Sequence, residues 1–253
     1  MISARLIPCL LLSNTGLVKT RGFGSPSYVG DPINTARIFC EMEVDEIIVL
    51  DIDATVDAKE PNYELISEIA SECFMPMAYG GGVKSMEQIK RLIRSGVEKI
   101  VINSAANECA DIVRNASNIY GSQAIVVGID IKKDLDGCYE IYTHSGSKKS
   151  FRSLFSYIDE LIDCGVGELF INDIDRDGSM EGMDLDLIKN ISQYTNVPVI
   201  ACGGAGCLED INSAINDAGA SAVAAGSLFV FYDKSRSVLL NYPQNLARYG
   251  NIY

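Results

Sequence analysis

The sequence lacks the patterns that mark several large functional classes. Its 253 residues include 21 lysines and arginines against 34 aspartates and glutamates, so the formal net charge is -13. A chain this poor in positive charge does not suit nucleic acid or an anionic membrane surface. It also has no apolar run of membrane-spanning length. We therefore expect neither nucleic acid nor a membrane among its partners.

Histidine is nearly absent, and the cysteines are never closely paired. His144 is the only histidine, and none of the eight cysteines forms a CxxC motif. A zinc site needs several spaced ligands, and a Ser-His-Asp triad would need a nucleophile elbow that the sequence does not contain. Cysteines in apolar patterns are typical of reduced core thiols. Because Met1–Pro8 has no signal-peptide core, we expect a cytoplasmic protein with neither a metal nor a cofactor.

What the chain does contain is one pattern that occurs twice, far apart in the sequence. Residues 79–83 and 202–206 read Tyr-Gly-Gly-Gly-Val and Cys-Gly-Gly-Ala-Gly. An amphipathic helical pattern follows each run, and a second apolar stretch then ends in a small polar pair, Asn103-Ser104 or Gly226-Ser227. The repetition predicts two similar half-barrels with one phosphate site in each. A ligand with a phosphate at each end would fit both sites.

Short apolar runs alternate with helical patterns along the whole chain. The runs are rich in Ile, Val and Ala and almost continuously apolar, as the strands of a buried parallel sheet are. Eight such strands with helices between them predict an α/β fold, a (β/α)8 TIM barrel that forms one domain over residues 1–253. The predicted strands are Leu6–Leu12, Glu46–Leu50, Met75–Tyr79, Lys99–Ile102, Ala124–Ile129, Glu168–Asn172, Val199–Cys202 and Ala222–Ala225.

Helices and loops complete the expected barrel. The clearest predicted helices are Ser85–Ser95, Ala106–Tyr120, Ser150–Cys164 and Leu208–Ala218. Two connections, residues 11–32 and 132–150, are long, and we interpret them as loops that serve as lids on the catalytic face. Lys19 lies in the first of them, where it could reach a phosphate or simply face solvent.

Polar residues at strand ends form the candidate site. Unhindered glycine backbone and helix N-terminal amides bind anions, so the two glycine runs predict phosphate binding, although glycine also serves in ordinary turns. Asp51, Asp130 and Asp175 close apolar strands, where a carboxylate can transfer protons or cap a turn. We favour a catalytic role for Asp130. Both interpretations stay open for Asp51 and for the Asp175–Gly178 turn.

Taken together, these motifs resemble the cyclase subunit of imidazole glycerol phosphate synthase over essentially the full length. The resemblance implies a lyase-type synthase of histidine biosynthesis. Such an enzyme uses ammonia from a glutaminase subunit to convert a bis-phosphorylated ribulosyl aminoimidazole carboxamide nucleotide into imidazole glycerol phosphate. The matching stretches are Arg5–Leu10, Val18-Lys19, Gly30–Pro32, Gly80–Gly82, Ile102–Ala106, Gly121–Gln123, Asp175–Gly178 and Gly203–Gly206.

The resemblance also implies roles for single residues. Asp130 matches one of the family's two acid/base aspartates, and Lys19 matches its loop lysine. The strand-one position of the other aspartate is Leu11, which cannot transfer a proton. Asn172 and Cys202 stand where the family usually has threonine and serine. The implied phosphate contacts are Lys19, Gly82, Asn103, Ser104, Gly178, Gly204, Ala205, Gly226 and Ser227.

At the other end of the barrel the family carries a ring of four charged residues that gates ammonia. Arg5, Glu46, Lys99 and Glu168 stand at the matching positions. Singly, each could be a solvated charge at a strand start, but together they predict two pairs of opposite charge. The resemblance therefore implies a glutaminase subunit docked at the N-terminal face.

Three functions remain open from the sequence. Overall similarity favours the cyclase reaction. Leu11 favours a divergent paralogue that conducts ammonia to a third enzyme, as in acetamidino-sugar formation for surface polysaccharides. The sister phosphoribosyl isomerase would need an aspartate in place of Leu11 and is the weakest alternative.

Overall fold

Eight parallel strands close into a barrel in the computed structural model, which describes residues 4–232 and 236–243. The single-domain prediction for residues 1–253 thus includes termini that lie outside the described residues. Each barrel strand pairs with the next, and the last pairs with the first, where Ala222 lies opposite Arg5. The barrel strands are β1 (Arg5–Ser13), β4 (Ile47–Asp51), β5 (Met77–Gly80), β6 (Lys99–Ile102), β7 (Ile125–Lys133), β10 (Glu168–Asp173), β11 (Val199–Cys202) and β12 (Ala222–Ala225). The predicted (β/α)8 barrel is confirmed.

The two long connections contain antiparallel ribbons, so the prediction of loops over these residues was wrong. In the first, β2 (Gly16–Lys19) pairs back on β1, and β3 (Ser27–Gly30) pairs on β2. In the second, β8 (Tyr139–Thr143) pairs on β7, and β9 (Lys148–Lys149) pairs on β8. The physical reason is that β1 and β7 extend past the rim, where their backbone groups need hydrogen-bond partners.

Helices surround the barrel. They are α1 (Pro32–Glu41), α2 (Tyr63–Ser71), α3 (Met86–Arg94), α4 (Ser104–Glu108), α5 (Asp111–Tyr120), α6 (Leu154–Asp163), α7 (Leu185–Tyr194), α8 (Leu208–Asn216) and α9 (Ser227–Val230), with a 3-10 turn at Ser122–Ala124. One predicted helix, Ala106–Tyr120, is in fact divided. Cys109 between α4 and α5 has an extended backbone, with φ -152 and ψ 108. No helix in the described part of the chain combines the length and apolar character that crossing a membrane requires.

Local signals explain why α3 forms where it does. Ser85 caps the helix by accepting from the Gln88 amide, and the Gln88 side chain accepts from the Ser85 amide in return. This capping box satisfies backbone donors that a helix start otherwise leaves free. Ile89 and Leu92 then occupy one face and pack into the core between helices and strands.

Two apolar cores hold the barrel together. The larger lies between the sheet and the helices and includes Phe39, Ile100 and Leu161. The smaller fills the barrel interior and includes Ile48 and Phe170. A filled interior is usual for this architecture, since inward side chains of alternate strands stack in layers. Functional groups are therefore confined to the ends of the barrel.

Strand pairing in the two halves of the barrel follows an equivalent register. Leu11 on β1 pairs with Leu50 on β4, and Asp130 on β7 pairs with Asn172 on β10. On the other side, Leu11 pairs with the β2 ribbon and Asp130 with the β8 ribbon. Leu11 is thus the half-barrel counterpart of Asp130.

The turns after β5 and β11 show the same symmetry and explain the repeated glycines. Gly81 has φ +114 and Gly203 has φ +101. A Cβ on Gly81 would lie 2.3 Å from the carbonyl oxygen of Asp51, and one on Gly203 would lie 2.6 Å from that of Asp173. No side chain fits there without moving backbone.

We expect Gly203→Ala to destabilise the protein by roughly 1–3 kcal/mol, because it adds strain at a positive φ and a backbone clash. Urea unfolding measures the change. The control is Gly30→Ala, whose Cβ would meet Thr35 Oγ1 at an ordinary 3.5 Å. Equal stabilities for the two variants would contradict the prediction.

Candidate active site

A cavity of about 540 Å³ opens at the C-terminal end of the barrel. Residues from all eight barrel strands or their following turns line it, among them Cys9, Leu11, Gly82, Asp130 and Asn172. C-terminal rims carry the active sites of this architecture because the variable loops meet there. We call this space the mouth cavity.

Asp130 is the buried carboxylate of the mouth cavity. It lies on β7 and is 8% exposed. Asn103 Nδ2 donates to its Oδ2 at 2.8 Å. Burial raises the pKa of Asp130 to about 7; the hydrogen bond from Asn103 opposes the shift, and the negative charge of Asp177 adds to it. A carboxyl that titrates near neutrality suits a general acid or base.

Asn172 stands beside Asp130 on the neighbouring strand. It is 6% exposed, and its Oδ1 is buried with no hydrogen-bond partner among the residues that the structure describes. Unpaired buried acceptors are costly and therefore uncommon. The atom is accordingly available to a donor from a ligand. From the sequence, Asn172 was recognisable as a departure from the family's usual threonine, but nothing indicated an unpaired atom.

Leu11 and Leu50 form the matching pair in the other half of the barrel. Both line the mouth cavity and pack on the interior core. One side of the cavity is therefore apolar where the opposite side carries a carboxyl and an amide. Leu11 offers no group for proton transfer.

Lys19 is more deeply buried than a residue of the predicted loop would be. It ends β2 and is 6% exposed, so the prediction of a loop residue was wrong. Its Nζ donates to the carbonyl oxygen of Cys9 at 2.6 Å. A Cβ placed on Gly226 would meet the same Nζ at 1.8 Å, so the ammonium lies against the Gly226 backbone.

One group of predicted phosphate contacts lies on the rim formed by β5 and β6. The Gly82 amide donates to Thr55 Oγ1 at 3.1 Å, and Ser104 Oγ accepts from the His144 amide at 3.1 Å. Ser104 begins α4, and Asn103 precedes it. We call Gly82, Asn103 and Ser104 the first cradle.

The second group lies across the rim at β11 and β12. A small adjoining cavity of about 20 Å³ is lined by Gly178, Gly204, Ala205, Gly226 and Ser227, which we call the second cradle. Ser227 Oγ is buried and has no partner within the described ranges. Lys19 lines both this cavity and the mouth cavity. Glycine backbone, an unpaired hydroxyl and an ammonium are groups that bind a phosphate.

The β8–β9 ribbon brings His144 over the first cradle. His144 and Ser145 both have φ 53, and Ser145 Oγ donates to the carbonyl oxygen of Ile52 at 2.7 Å. The His144 ring lies 3.1 Å from Thr143 Oγ1 and 4.0 Å from a Glu108 oxygen. The residue is a ligand-contact candidate rather than part of a triad.

Asp51 has a structural role as a turn cap, which its position at a strand end did not by itself predict. Its Oδ1 accepts from the amides of Asp53 and Ala54, which closes the turn after β4. Asp173 does the same for Asp175 and Arg176 after β10. Sequence reasoning missed Asp173 and assigned the strand end to Asp175, which is exposed outside β10. The similarity between the sequences Leu50–Asp53 and Asn172–Asp175 could have identified Asp173 as the counterpart of Asp51.

The four charged residues at the N-terminal end form a closed circuit rather than two separate pairs. Arg5 binds Glu46 and Glu168 at 2.6 Å each, and Lys99 binds the same two residues at 2.8 and 3.1 Å. Burial lowers the pKa of Arg5, but the charges of Glu168 and Glu46 outweigh it, and the net shift is upward. Each ion has two opposite neighbours, which offsets the cost of burying it. We call this set the charged ring.

Barrel, mouth cavity and charged ring define the class: a (β/α)8 barrel whose candidate catalytic groups lie at the C-terminal mouth. A family model described as "Histidine biosynthesis protein" matches residues 5–236. The chain therefore belongs to the histidine biosynthesis protein family.

Individual relatives cover almost the whole chain. A provisionally named imidazole glycerol phosphate synthase subunit hisF2 of Pseudomonas aeruginosa is 50% identical over 243 residues, 96% of this chain and 97% of that protein. A provisionally named HisF subunit of Leptospira borgpetersenii is 46% identical over 244 residues, 96% of each chain. The imidazole glycerol phosphate synthase subunit HisF of Streptococcus sanguinis is 34% identical over 229 residues, 90% of this chain and 91% of that protein.

The buried Asp130 makes stability depend on pH. Its pKa is about 7 in the folded protein against an ordinary 3.8, so between these values the folded state holds a proton that the unfolded state has released. This contribution to stability is complete below pH 4 and is lost as pH rises through 7. We expect Asp130→Asn to gain on the order of 1–3 kcal/mol of relative stability from pH 4 to 8, measured by urea unfolding.

The control for this titration is Asp111→Asn, which removes a carboxylate whose side chain is 66% exposed. Its stability relative to the parent should stay nearly constant over the same range. A flat difference for Asp130→Asn would show that Asp130 is already ionised in the folded protein at low pH.

Proposed function

We propose that this chain is the cyclase subunit of a glutamine-dependent imidazole glycerol phosphate synthase, acting as one barrel domain. Ammonia from a glutaminase partner reacts at the mouth cavity with the bis-phosphorylated ribulosyl aminoimidazole carboxamide nucleotide. The products are imidazole glycerol phosphate and aminoimidazole carboxamide ribotide. The names of the relatives support this assignment, since each is named as a subunit of that synthase.

The observation that carries the proposal is the pair of cradles on one cavity. The first cradle and Gly226 of the second line the same mouth cavity, and Asp130 lines it as well. A ligand with a phosphate at each end can therefore present its middle to the acid/base group. Positioning by two anchors is an effective source of catalysis because it removes rotational freedom before the reaction.

Ammonia needs a route that excludes water and ammonium. The charged ring covers the N-terminal end, and small side chains such as Ala78, Ala222 and Ala224 lie in the interior beyond it. A neutral molecule of this size crosses an apolar interior more easily than a charged one. These features support a passage from the ring to the mouth cavity.

The N-terminal face also supports a docking role. Phe74, in the connection from α2 to β5, is 94% exposed. Such connections lie at the same end of the barrel as the charged ring, since they lead into strand starts. Exposed aromatic side chains are frequent anchors of protein interfaces. A glutaminase subunit bound there would cover both Phe74 and the ring.

The alternatives predict different behaviour. A conduit that feeds a third enzyme would show no turnover of its own, and its main support is Leu11, which replaces a proton-transfer residue. The sister isomerase gains no support from the three relatives reported above, because each is named as a HisF subunit.

With saturating ammonium salt and no partner, the purified chain should convert the nucleotide substrate. Asp130→Asn should lower kcat by about 10²–10⁴-fold, the usual effect of losing a positioned acid or base. Formation of aminoimidazole carboxamide ribotide is measured by chromatography. Asp111→Asn, at an exposed carboxylate, is the matched control and should keep the parent's rate.

If the parent is inactive with ammonia yet binds the substrate, the conduit alternative replaces the cyclase. Equal rates for Asp130→Asn and the parent would instead move the acid/base role to another residue.

The charged ring should matter for glutamine but not for free ammonia. Lys99→Met removes two of the four ion pairs of the ring, so we expect glutamine-dependent turnover of the complex to fall at least about tenfold, as loss of a close charge pair does. Turnover with ammonium salt should remain at the parent's level. Both are measured on the complex with its glutaminase.

The control for the charged ring is Lys90→Met. Lys90 is exposed on α3, and its ion pair with Glu87 is long, at 3.9 Å. Thermal unfolding of both variants checks that the barrel is intact. Equal losses with glutamine and with ammonia would mean that the ring stabilises the fold and does not control delivery.

A further inference from the structure

The proposed function leaves one proton transfer without a residue. Adding ammonia to a ketone requires an acid at the carbonyl oxygen and a base at the nitrogen. Asp130 can provide one of them, but its counterpart Leu11 can provide neither. This inference rests on the proposed function and asks which side chain takes the second role.

Most other carboxylates at the mouth cavity are engaged elsewhere. Asp51 closes its turn through two backbone amides. Asp53 Oδ2 accepts from Ser13 Oγ at 2.7 Å, and Asp57 pairs with Lys59 at 2.6 Å on the surface. These carboxylates hold the β4–α2 connection in place.

Asp177 differs from them in position and surroundings. It lines both the mouth cavity and the small cavity of the second cradle. Its Oδ2 accepts from Thr20 Oγ1 at 3.2 Å, and its backbone oxygen accepts from the Gly22 amide at 2.9 Å. The β2–β3 ribbon therefore fixes the carboxylate from outside while leaving it on the cavity wall.

Asp177 also interacts with the charges that matter for proton transfer. Burial raises the pKa of Asp177, and the charge of Lys19 and the hydrogen bond from Thr20 oppose that shift without cancelling it. Its negative charge in turn contributes to the raised pKa of Asp130. Two carboxyls that share a cavity in this way favour opposite protonation states, as an acid and a base require.

We propose that Asp177 is the second proton-transfer group of this barrel, in place of the strand-one position that Leu11 occupies. Ammonia attacks the ribulosyl ketone, a C–N bond forms, and the carbonyl π electrons move to oxygen. Protonated Asp130 gives that oxygen its proton, and ionised Asp177 takes one from the new ammonium group.

The second half of the exchange restores both residues. Protonated Asp177 gives its proton to the hydroxyl of the adduct, which leaves as water. The nitrogen lone pair forms the C=N bond, and Asp130 takes one of the two protons on that nitrogen, which leaves a neutral imine. Protons and charge balance over the two steps, and no further reactant is needed.

The test is a double-mutant cycle assayed with ammonium salt. Asp177→Asn should lower kcat by about 10²–10⁴-fold and remove one limb of the bell-shaped pH profile of kcat. Adding Leu11→Asp to that variant should recover at least about tenfold and restore the limb, because it returns a carboxyl to the position equivalent to that of Asp130. Asp111→Asn, at an exposed carboxylate of α5, should keep the parent's rate.

Two outcomes overturn the proposal while leaving the proposed function intact. One is an Asp177→Asn variant as active as the parent. The other is a loss that Leu11→Asp does not relieve, which would assign Asp177 a purely structural role in its turn. An inactive parent would instead reject the proposed function, and this proton-transfer role with it.

A readout without turnover tests the geometry separately. Carboxyl carbon NMR on labelled aspartates follows the titration of Asp130 in the parent and in Asp177→Asn. Loss of the neighbouring negative charge should lower the pKa of Asp130. An unchanged titration would show that the two groups do not interact and would refute the pairing whatever the kinetics.

Discussion

Closure of the parallel sheet between β1 and β12 fixes the position of every functional group described above. All strands of a parallel barrel point the same way, so closure turns their ends into two rims of different character. Leu11, Asp130 and Asn172 come from distant segments but face one cavity. At the other rim, Arg5 and Glu168 meet at 2.6 Å although 163 positions separate them in the chain.

The two rims differ in how their charged and polar groups are paired. In the charged ring each ion touches two of opposite sign, which offsets the cost of burying it, although Glu46 Oε1 is buried without a hydrogen-bond partner among the described residues. At the C-terminal rim, Asn172 Oδ1 at the mouth cavity and Ser227 Oγ at the second cradle are buried without a partner in the described part of the chain. Groups of that kind cost stability in the free protein and become favourable when a ligand pairs with them.

Half-barrel symmetry constrains backbone far more than chemistry. Gly81 and Gly203 keep equivalent turns, and Asp51 and Asp173 close them by the same hydrogen bonds. The side chains on the cavity wall have diverged between the halves, with leucines on one side and Asp130 with Asn172 on the other. Because Leu11 lies at the position equivalent to that of Asp130, we assign the second proton-transfer role to Asp177, a carboxylate of the cavity wall outside the symmetric strand positions.

Much of the architecture followed from sequence alone, because apolar periodicity and glycine chemistry are local properties. Strands Lys99–Ile102, Val199–Cys202 and Ala222–Ala225 have the predicted bounds, and the repeated glycine turns lie where expected. Only the tertiary structure decided which polar atoms meet. The circuit of the charged ring, the enclosure of Lys19 and the turn-closing role of Asp51 all depend on contacts between segments far apart in sequence. Barrel closure sets those contacts, and no local pattern encodes them.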